Sequence, residues 1–227
     1  MDKVELKAQA RALGFDLLGI APAGEFPAVP RWARVVIVVG MVTLDRALDL
    51  ELYIEEQGEQ RFSKWAYERL AAGAARLALR LFEAGQRAQP LTYEDSYSVL
   101  DLKQAAVRSG LGVWGLNSLV LTRSYGPRVR FGAVFTDLDL PSDSPCQDYY
   151  CSSCSLCIAA CPTGALGPAG FDRSRCIAEF MPNAAMVRLQ RERLEFPTPH
   201  TRYQCAECIA ACPIGKAVPT RFWGLDP

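Results

Sequence analysis

Cysteine carries most of the chemistry this sequence can do. The chain has nine in 227 residues, and eight fall between Cys151 and Cys212. In the run Cys151-x-x-Cys154-x-x-Cys157-x-x-x-Cys161-Pro162, three thiolates are close enough to wrap one iron-sulfur cube, and the fourth is carried past it toward a second. The hexapeptide CIAACP at 157–162 recurs at 208–213, an offset of 51 residues. That offset relates Cys154 to Cys205, Cys157 to Cys208 and Cys161 to Cys212, but sets Cys151 against Arg202. The second copy therefore needs a ligand from elsewhere, and Cys176 is the available thiol. Read as a crossed repeat, Cys151, Cys154, Cys157 and Cys212 hold one [4Fe-4S] cluster, and Cys161, Cys176, Cys205 and Cys208 hold the other. Cys146 is left over and reads as a small apolar bystander.

Paired CxxC spacings also make zinc sites, yet zinc explains neither the third close thiolate nor the Cys-Pro endings. The spacing is that of bacterial ferredoxins. A secreted disulfide scaffold fits poorly, because the cysteine count is odd and the N-terminus MDKVELKAQARALGF lacks a signal-peptide pattern. The expected compartment is reducing, the cytoplasm. The longest apolar run, Val35 to Val39, is far below the roughly 20 residues that span a bilayer. Lys plus Arg equals Asp plus Glu at 25 each, so no net field draws the chain to nucleic acid or an anionic membrane.

Two clusters make a short wire that needs a receiver, and a ferredoxin alone would need only the last third of this chain. Composition changes at Leu140-Pro141-Ser142-Asp143-Ser144-Pro145, which divides a front domain, 1–140, from a two-cluster ferredoxin-like domain, 141–227. In front, 4–13 reads as helix, Phe15 to Ala21 and Arg34 to Gly40 as strands, and 61–85 as a long helix burying Phe62, Trp65, Leu70, Leu77 and Leu81. A helix over about 99–109 stops at Gly110. In the strand Arg128 to Thr136, Val129, Phe131, Ala133 and Phe135 point one way and Arg128 and Arg130 the other. These elements predict an α+β layer fold with one solvated sheet face. A helix over about 184–195 reads as a charged, solvated face or a partner contact.

After the 99–109 helix, Gly110, Gly112 and Gly115 would let backbone approach a flat ligand, although a helix cap and turn explain them as well. Trp114 would cover such a ligand or fill core. Glu94 and Asp95 form an acid pair, in a cleft or beside a helix start. Arg128 and Arg130 would hold an anionic group or line a solvated strand. The single histidine, His200, reads as a surface residue.

Taken with the cysteine code, several stretches resemble epoxyqueuosine reductases: AAVRSGLGVWG, SLVLTRSYGPRVRFGAVFTDLDL, CxxCxxCxxxCPTGA, the Arg175-Cys176-Ile177 step and the late CxxCxxxCP. They cover about 90–215. Corrinoid-dependent reductive dehalogenases look like more distant relatives. The resemblance implies a nitroreductase- or corrinoid-reductase-like front domain, with base-off cobalamin held between it and the proximal cluster and reduced one electron at a time. The cofactor would meet Gly110, Gly112, Trp114, Gly115, Asn117, Ser118, Arg128 and Arg130, with Asp95 as the catalytic acid. The pattern departs in three places. Leu116 stands where the family usually has Lys after GWIG. An ungapped match puts Ser96, rather than Asp95, at the family's acid. The chain also stops at Pro227, where tRNA-acting members continue into helical repeats.

The expected function is an iron-sulfur, cobalamin-dependent reductase. It would draw electrons from a low-potential donor such as a flavodoxin or ferredoxin and act on a small molecule, with neither tRNA nor a membrane expected as a partner. Two alternatives stay open: an electron-transfer protein whose front domain docks a partner, and a corrinoid-reducing or handling protein.

Overall fold

In the computed structural model the described residues are 1–42, 51–56, 59–91, 94–179, 182–197 and 201–215, with backbone alone at 51–56, 59–65, 94, 97, 201 and 202. His200 and the side chains of Phe62, Trp65 and Glu94 therefore lie outside them. In chain order the elements are α1 (Lys3–Ala12), β1 (Leu17–Pro22), β2 (Val35–Val42), β3 (Glu51–Glu56), β4 (Glu59–Lys64), α2 (Trp65–Glu83), β5 (Ala88–Pro90), α3 (Leu102–Arg108), β6 (Val113–Trp114), β7 (Val120–Leu121), β8 (Val129–Thr136), α4 (Leu156–Ala159), β9 (Leu166–Gly167), β10 (Gly170–Phe171), α5 (Ala184–Glu192), β11 (Thr201–Arg202) and α6 (Glu207–Ala210).

The front of the molecule is an α+β layer structure built on an antiparallel sheet of order β1-β2-β8-β5. β2 is a continuous apolar run, VVIVVGMV, and such a strand must be covered on both faces. Ile37, Val39 and Val134 pack on one face with Leu6 of α1 and Leu70, Leu77 and Leu81 of α2. Val36, Val38, Phe131 and Phe135 pack on the other with Ala105 and Ala106 of α3. The expected solvated face is thus absent from β8, all eight residues of which are buried. Arg130 lies under α2, with its guanidinium carbon 4.8 Å from the centre of the Tyr67 ring.

Two boundaries also differ. The helix expected from residue 61 begins at Trp65, because 59–64 pair instead as β4 with β3, which also pairs with β11; long-range backbone pairing overrides a helical spacing here. α3 starts at Leu102 because the Asp101 carboxylate caps it, accepting from Lys103 N–H at 2.8 Å and Gln104 N–H at 3.1 Å. Gly110 ends this stretch in the left-handed conformation, φ +70°.

The segment after β8 is fastened back to the sheet. Asp143 N–H donates to Ile20 O at 2.7 Å, its carboxylate accepts from Ile20 N–H at 3.0 Å, and Lys3 pairs with it. A second fastening joins the cysteine-rich part to β8. Arg128 donates to the carbonyls of Ile214 at 3.1 Å, Ile209 at 3.2 Å and Cys212 at 3.2 Å. Beside it Gly126 and Gly215, both at positive φ, meet backbone to backbone, and a Cβ on Gly126 would stand 1.9 Å from Ile214 O.

Candidate electron-transfer site and adjoining cavity

The two CIAACP copies fold alike. Ser155 O accepts from Ile158 N–H and Ala206 O from Ile209 N–H, both at 3.0 Å, and each turn closes with the cysteine N–H on the isoleucine carbonyl, Cys161 at 3.1 Å and Cys212 at 3.2 Å. The resulting α4 and α6 pack together. Ser153 and Ser155 adopt left-handed φ of 53° and 60° on either side of Cys154, coiling the chain so that closely spaced thiols converge.

Two groups of four thiols result. Cys151, Cys154, Cys157 and Cys212 ring a small pocket edged by Leu116 and Asn117. Cys161, Cys176, Cys205 and Cys208 line one wall of a cavity of about 510 Å³. Cys146 lies in neither group. Among the described residues no three metal-binding side chains stand close enough to share one ion. A tetrahedral zinc would draw its sulfurs to about 3.8 Å of one another, given a Zn–S bond of about 2.3 Å. Four thiols spaced around a volume suit a cube with an iron at each ligated corner.

Burial pushes the Cys208 thiol up to about 12, reinforced by Cys205, Cys176 and Cys161 beside it. Burial also raises Cys176, Cys205, Cys157 and Cys212. Cys151 moves the other way: burial raises it, but N–H groups of Leu116 and Ser153 and the Tyr149 hydroxyl bring it below the ordinary value. Cys161 behaves similarly, with N–H groups of Leu166 and Thr163 and the Thr163 hydroxyl outweighing burial. Such crowding of ionisable thiols is relieved when bound iron supplies the positive charge.

The larger cavity is also lined by Asn117, Ser118, Val129, Arg130, Ser96 and Lys103. Burial pushes Arg130 down to about 9, which leaves it charged at neutral pH. Burial also lowers Lys103 below its ordinary 10.5, against the pull of Asp101, and its ammonium holds Ser118 O at 3.0 Å. Of the residues expected around a cofactor, Asn117, Ser118 and Arg130 reach this cavity.

The others do not line it. Arg128 points to the Ile209, Cys212 and Ile214 carbonyls, so it fastens the cysteine-rich part. The three glycines serve close approaches inside the protein. A Cβ on Gly110 would stand 2.4 Å from Ser144 O, on Gly112 2.2 Å from Leu121 O, and on Gly115 2.7 Å from Asn117 Oδ1. Trp114 is 41% exposed on β6, so it neither walls the cavity nor fills core. Asp95 is exposed in a 3-10 turn, and its neighbour Ser96, about 120° further round a turn of three residues, takes the position in the cavity lining.

Two positioning residues escaped sequence reasoning. Thr163 Oγ1 donates to Arg175 O at 2.6 Å, tying the Cys161 turn to the Cys176 turn. Gln190, 3% exposed on α5, donates to Ile177 O. The helix that read as a solvated face thus anchors the segment carrying Cys176. A glutamine on the apolar side of an amphipathic helix was the available signal.

Residues 150–215 match the 4Fe-4S double cluster binding domain. An epoxyqueuosine reductase of Leadbetterella byssophila is 32% identical over 209 residues, covering 77% of this chain and 67% of that protein. The solved epoxyqueuosine reductase of Bacillus subtilis superposes with a TM-score of 0.68 at 21% identity, over 94% of this chain and 65% of that one. The fold is shared more distantly with a reductive dehalogenase whose structure suggests a mechanism for B12-dependent dehalogenation, with a TM-score of 0.57 at 19% identity over 81% of this chain and 32% of that one. The chain thus spans about two thirds of the length of the first two relatives. With its paired four-thiol sites and its match along most of an enzyme's length, the chain belongs to the epoxyqueuosine reductase family.

Proposed function

We propose that this protein is a reductase that passes single electrons through two [4Fe-4S] clusters to a corrinoid seated in the 510 Å³ cavity, and from there to a small-molecule substrate. The observation that carries this reading is the cavity's composition. Its lining brings Cys161, Cys176, Cys205 and Cys208 together with apolar Leu119, Val129 and Phe131 and the polar Ser118, Arg130 and Lys103. Such a lining suits a flat, largely apolar macrocycle carrying amide arms.

Cys151, Cys154, Cys157 and Cys212 hold the first cluster, where electrons enter from a low-potential flavodoxin or ferredoxin; Cys154 is exposed there. The second cluster would be held by the other four thiols, which line the cavity. A bound corrinoid supplies a cobalt centre that takes electrons one at a time and carries the reductive chemistry. Arg130 holds an anionic or amide group of the bound molecules. Lys103, which lines the same cavity and whose pKa burial lowers, supplies the proton that reductive cleavage consumes. The balance of 25 acidic and 25 basic residues argues for a small molecule over tRNA. No described helix is long and apolar enough to cross a membrane. The reducing cytoplasm is the compartment that nine free thiols suit.

The position of Asp95 outside the cavity favours one further reading, an electron carrier whose front part docks a partner enzyme. Anaerobic reconstitution with iron, sulfide and cobalamin separates the two. About eight irons and one cobalt per chain after gel filtration support the reductase; eight irons without cobalt leave the carrier.

A further inference from the structure

Asn117 is the one described residue that lines both the pocket ringed by Cys151, Cys154, Cys157 and Cys212 and the cavity walled by Cys161, Cys176, Cys205 and Cys208. It stands at the turn between β6 and β7 and is 5% exposed. Its amide orientation is determined by its neighbours. Leu119 N–H donates to Oδ1 at 3.2 Å, so the acceptor atom must lie on that side and the NH₂ on the other. That NH₂ is buried and meets no acceptor among the described residues.

The turn gives it little freedom to seek one. Gly115 N–H donates to Leu119 O at 2.9 Å and Ser118 N–H to Gly115 O at 3.0 Å. Lys103 grips Ser118 O at 3.0 Å, and Ser118 sits at a left-handed φ of 57°. A side chain in that conformation persists only where the surroundings impose it. A rigid hairpin therefore keeps a donor with no protein acceptor at the boundary of two thiol-ringed spaces. The boundary lies between the two thiol groups, so bound clusters bring sulfur acceptors to it.

We propose that the side-chain amide of Asn117 donates a hydrogen bond to a cluster sulfur at this boundary and thereby sets that cluster's reduction potential. The inference rests on the double-cluster site and adds a positioning residue that no ligand pattern contains. A hydrogen bond to sulfur favours the more negative, reduced cube, so the amide raises the potential. One electron is added or removed, and no covalent bond changes.

The chain has just two asparagines, Asn117 and Asn183, and the Asn183 amide already donates to Ser174 O at 2.8 Å. Holoprotein carrying ¹⁵N-asparagine, reduced and examined by pulsed EPR, is expected to show a ¹⁵N coupling to a reduced cluster, absent from Asn117→Leu. In Asn117→Leu the reduced-to-oxidised ratio of at least one cluster, at a fixed solution potential, is expected to fall about tenfold, equivalent to about 59 mV for one electron. Iron analysis accompanies both measurements. Full iron loading with no ¹⁵N coupling in the unsubstituted protein overturns the proposal, whether or not Asn117→Leu assembles its clusters. Full loading of Asn117→Leu with both potentials unchanged overturns it too. An unsubstituted protein that takes up only one cluster would instead remove the double-cluster reading on which the inference stands.

Discussion

Cys161 and Cys212 occupy equivalent places in the repeat, yet their thiols are shifted in opposite directions. Burial raises both, but Cys161 meets N–H groups of Leu166 and Thr163 and the Thr163 hydroxyl, which bring it down, whereas for Cys212 burial prevails. Cys161 gathers several N–H groups and a hydroxyl, whereas Cys212 has the Ile214 N–H and Arg128 set against burial that Cys151 and Cys154 reinforce. Individual thiols also differ in what their loss should do. Cys176→Ala is expected to halve the iron content, to about four per chain, and leave the cluster of the other group EPR-active; retention of about eight would overturn the crossed ligand set. Lys103 is predicted to act in its protonated form. Because burial lowers its pKa, turnover should decline as pH rises through a value below 10.5. Lys103→Met should abolish that alkaline limb and lower kcat by about 10²-fold, in the usual range for removing a general acid. A limb that survives the substitution would assign the proton to another group.

Helix spacing located α1, α3 and α5 well, because amphipathic patterns and caps act over a few residues. It misplaced the start of α2, where β4 belongs to a sheet closed by β11 from the far end of the chain. The glycines after α3 were legible as close approaches, but the approaching group is protein. Gly112→Val, whose Cβ would lie 2.2 Å from Leu121 O, should therefore break the β6–β7 hairpin. The expected result is reduced iron loading together with lower thermal stability; loss of corrinoid affinity alone, with both clusters and the melting temperature intact, would restore the ligand-facing reading. On α5, Gln190→Ala leaves Ile177 O buried without its partner, at a cost of about 1–3 kcal/mol. Iron analysis and EPR should show the Cys176 cluster weakened ahead of the other.

Specific contacts join the cysteine-rich part to the front, among them the Arg128 carbonyl clamp, the Gly126–Gly215 approach, the pairing of β11 with β3 and the tie from Asp143 to β1. The front sheet has apolar cores on both faces, whereas much of 150–179 is exposed or half-buried. Metal binding is folding energy for such a segment. Chelating the iron should strip hydrogen-exchange protection from 150–215 while β2 and β8 keep theirs. Uniform loss across the chain would mean that the clusters hold the front together as well.

The amino-acid sequence by itself determined the cluster chemistry, the α+β class and the family. Each follows from chemistry confined to a few side chains or from periodicity along one element. Only the tertiary structure decided what faces the cavity. Arg128 and Arg130 are two residues apart, yet one reaches the carbonyls of the cysteine-rich part and the other the space under α2. Asp95 is turned out where Ser96 is turned in. Such outcomes depend on how separate elements pack, and adjacent residues in a strand end or a tight turn carry no mark in the sequence of which direction packing will select.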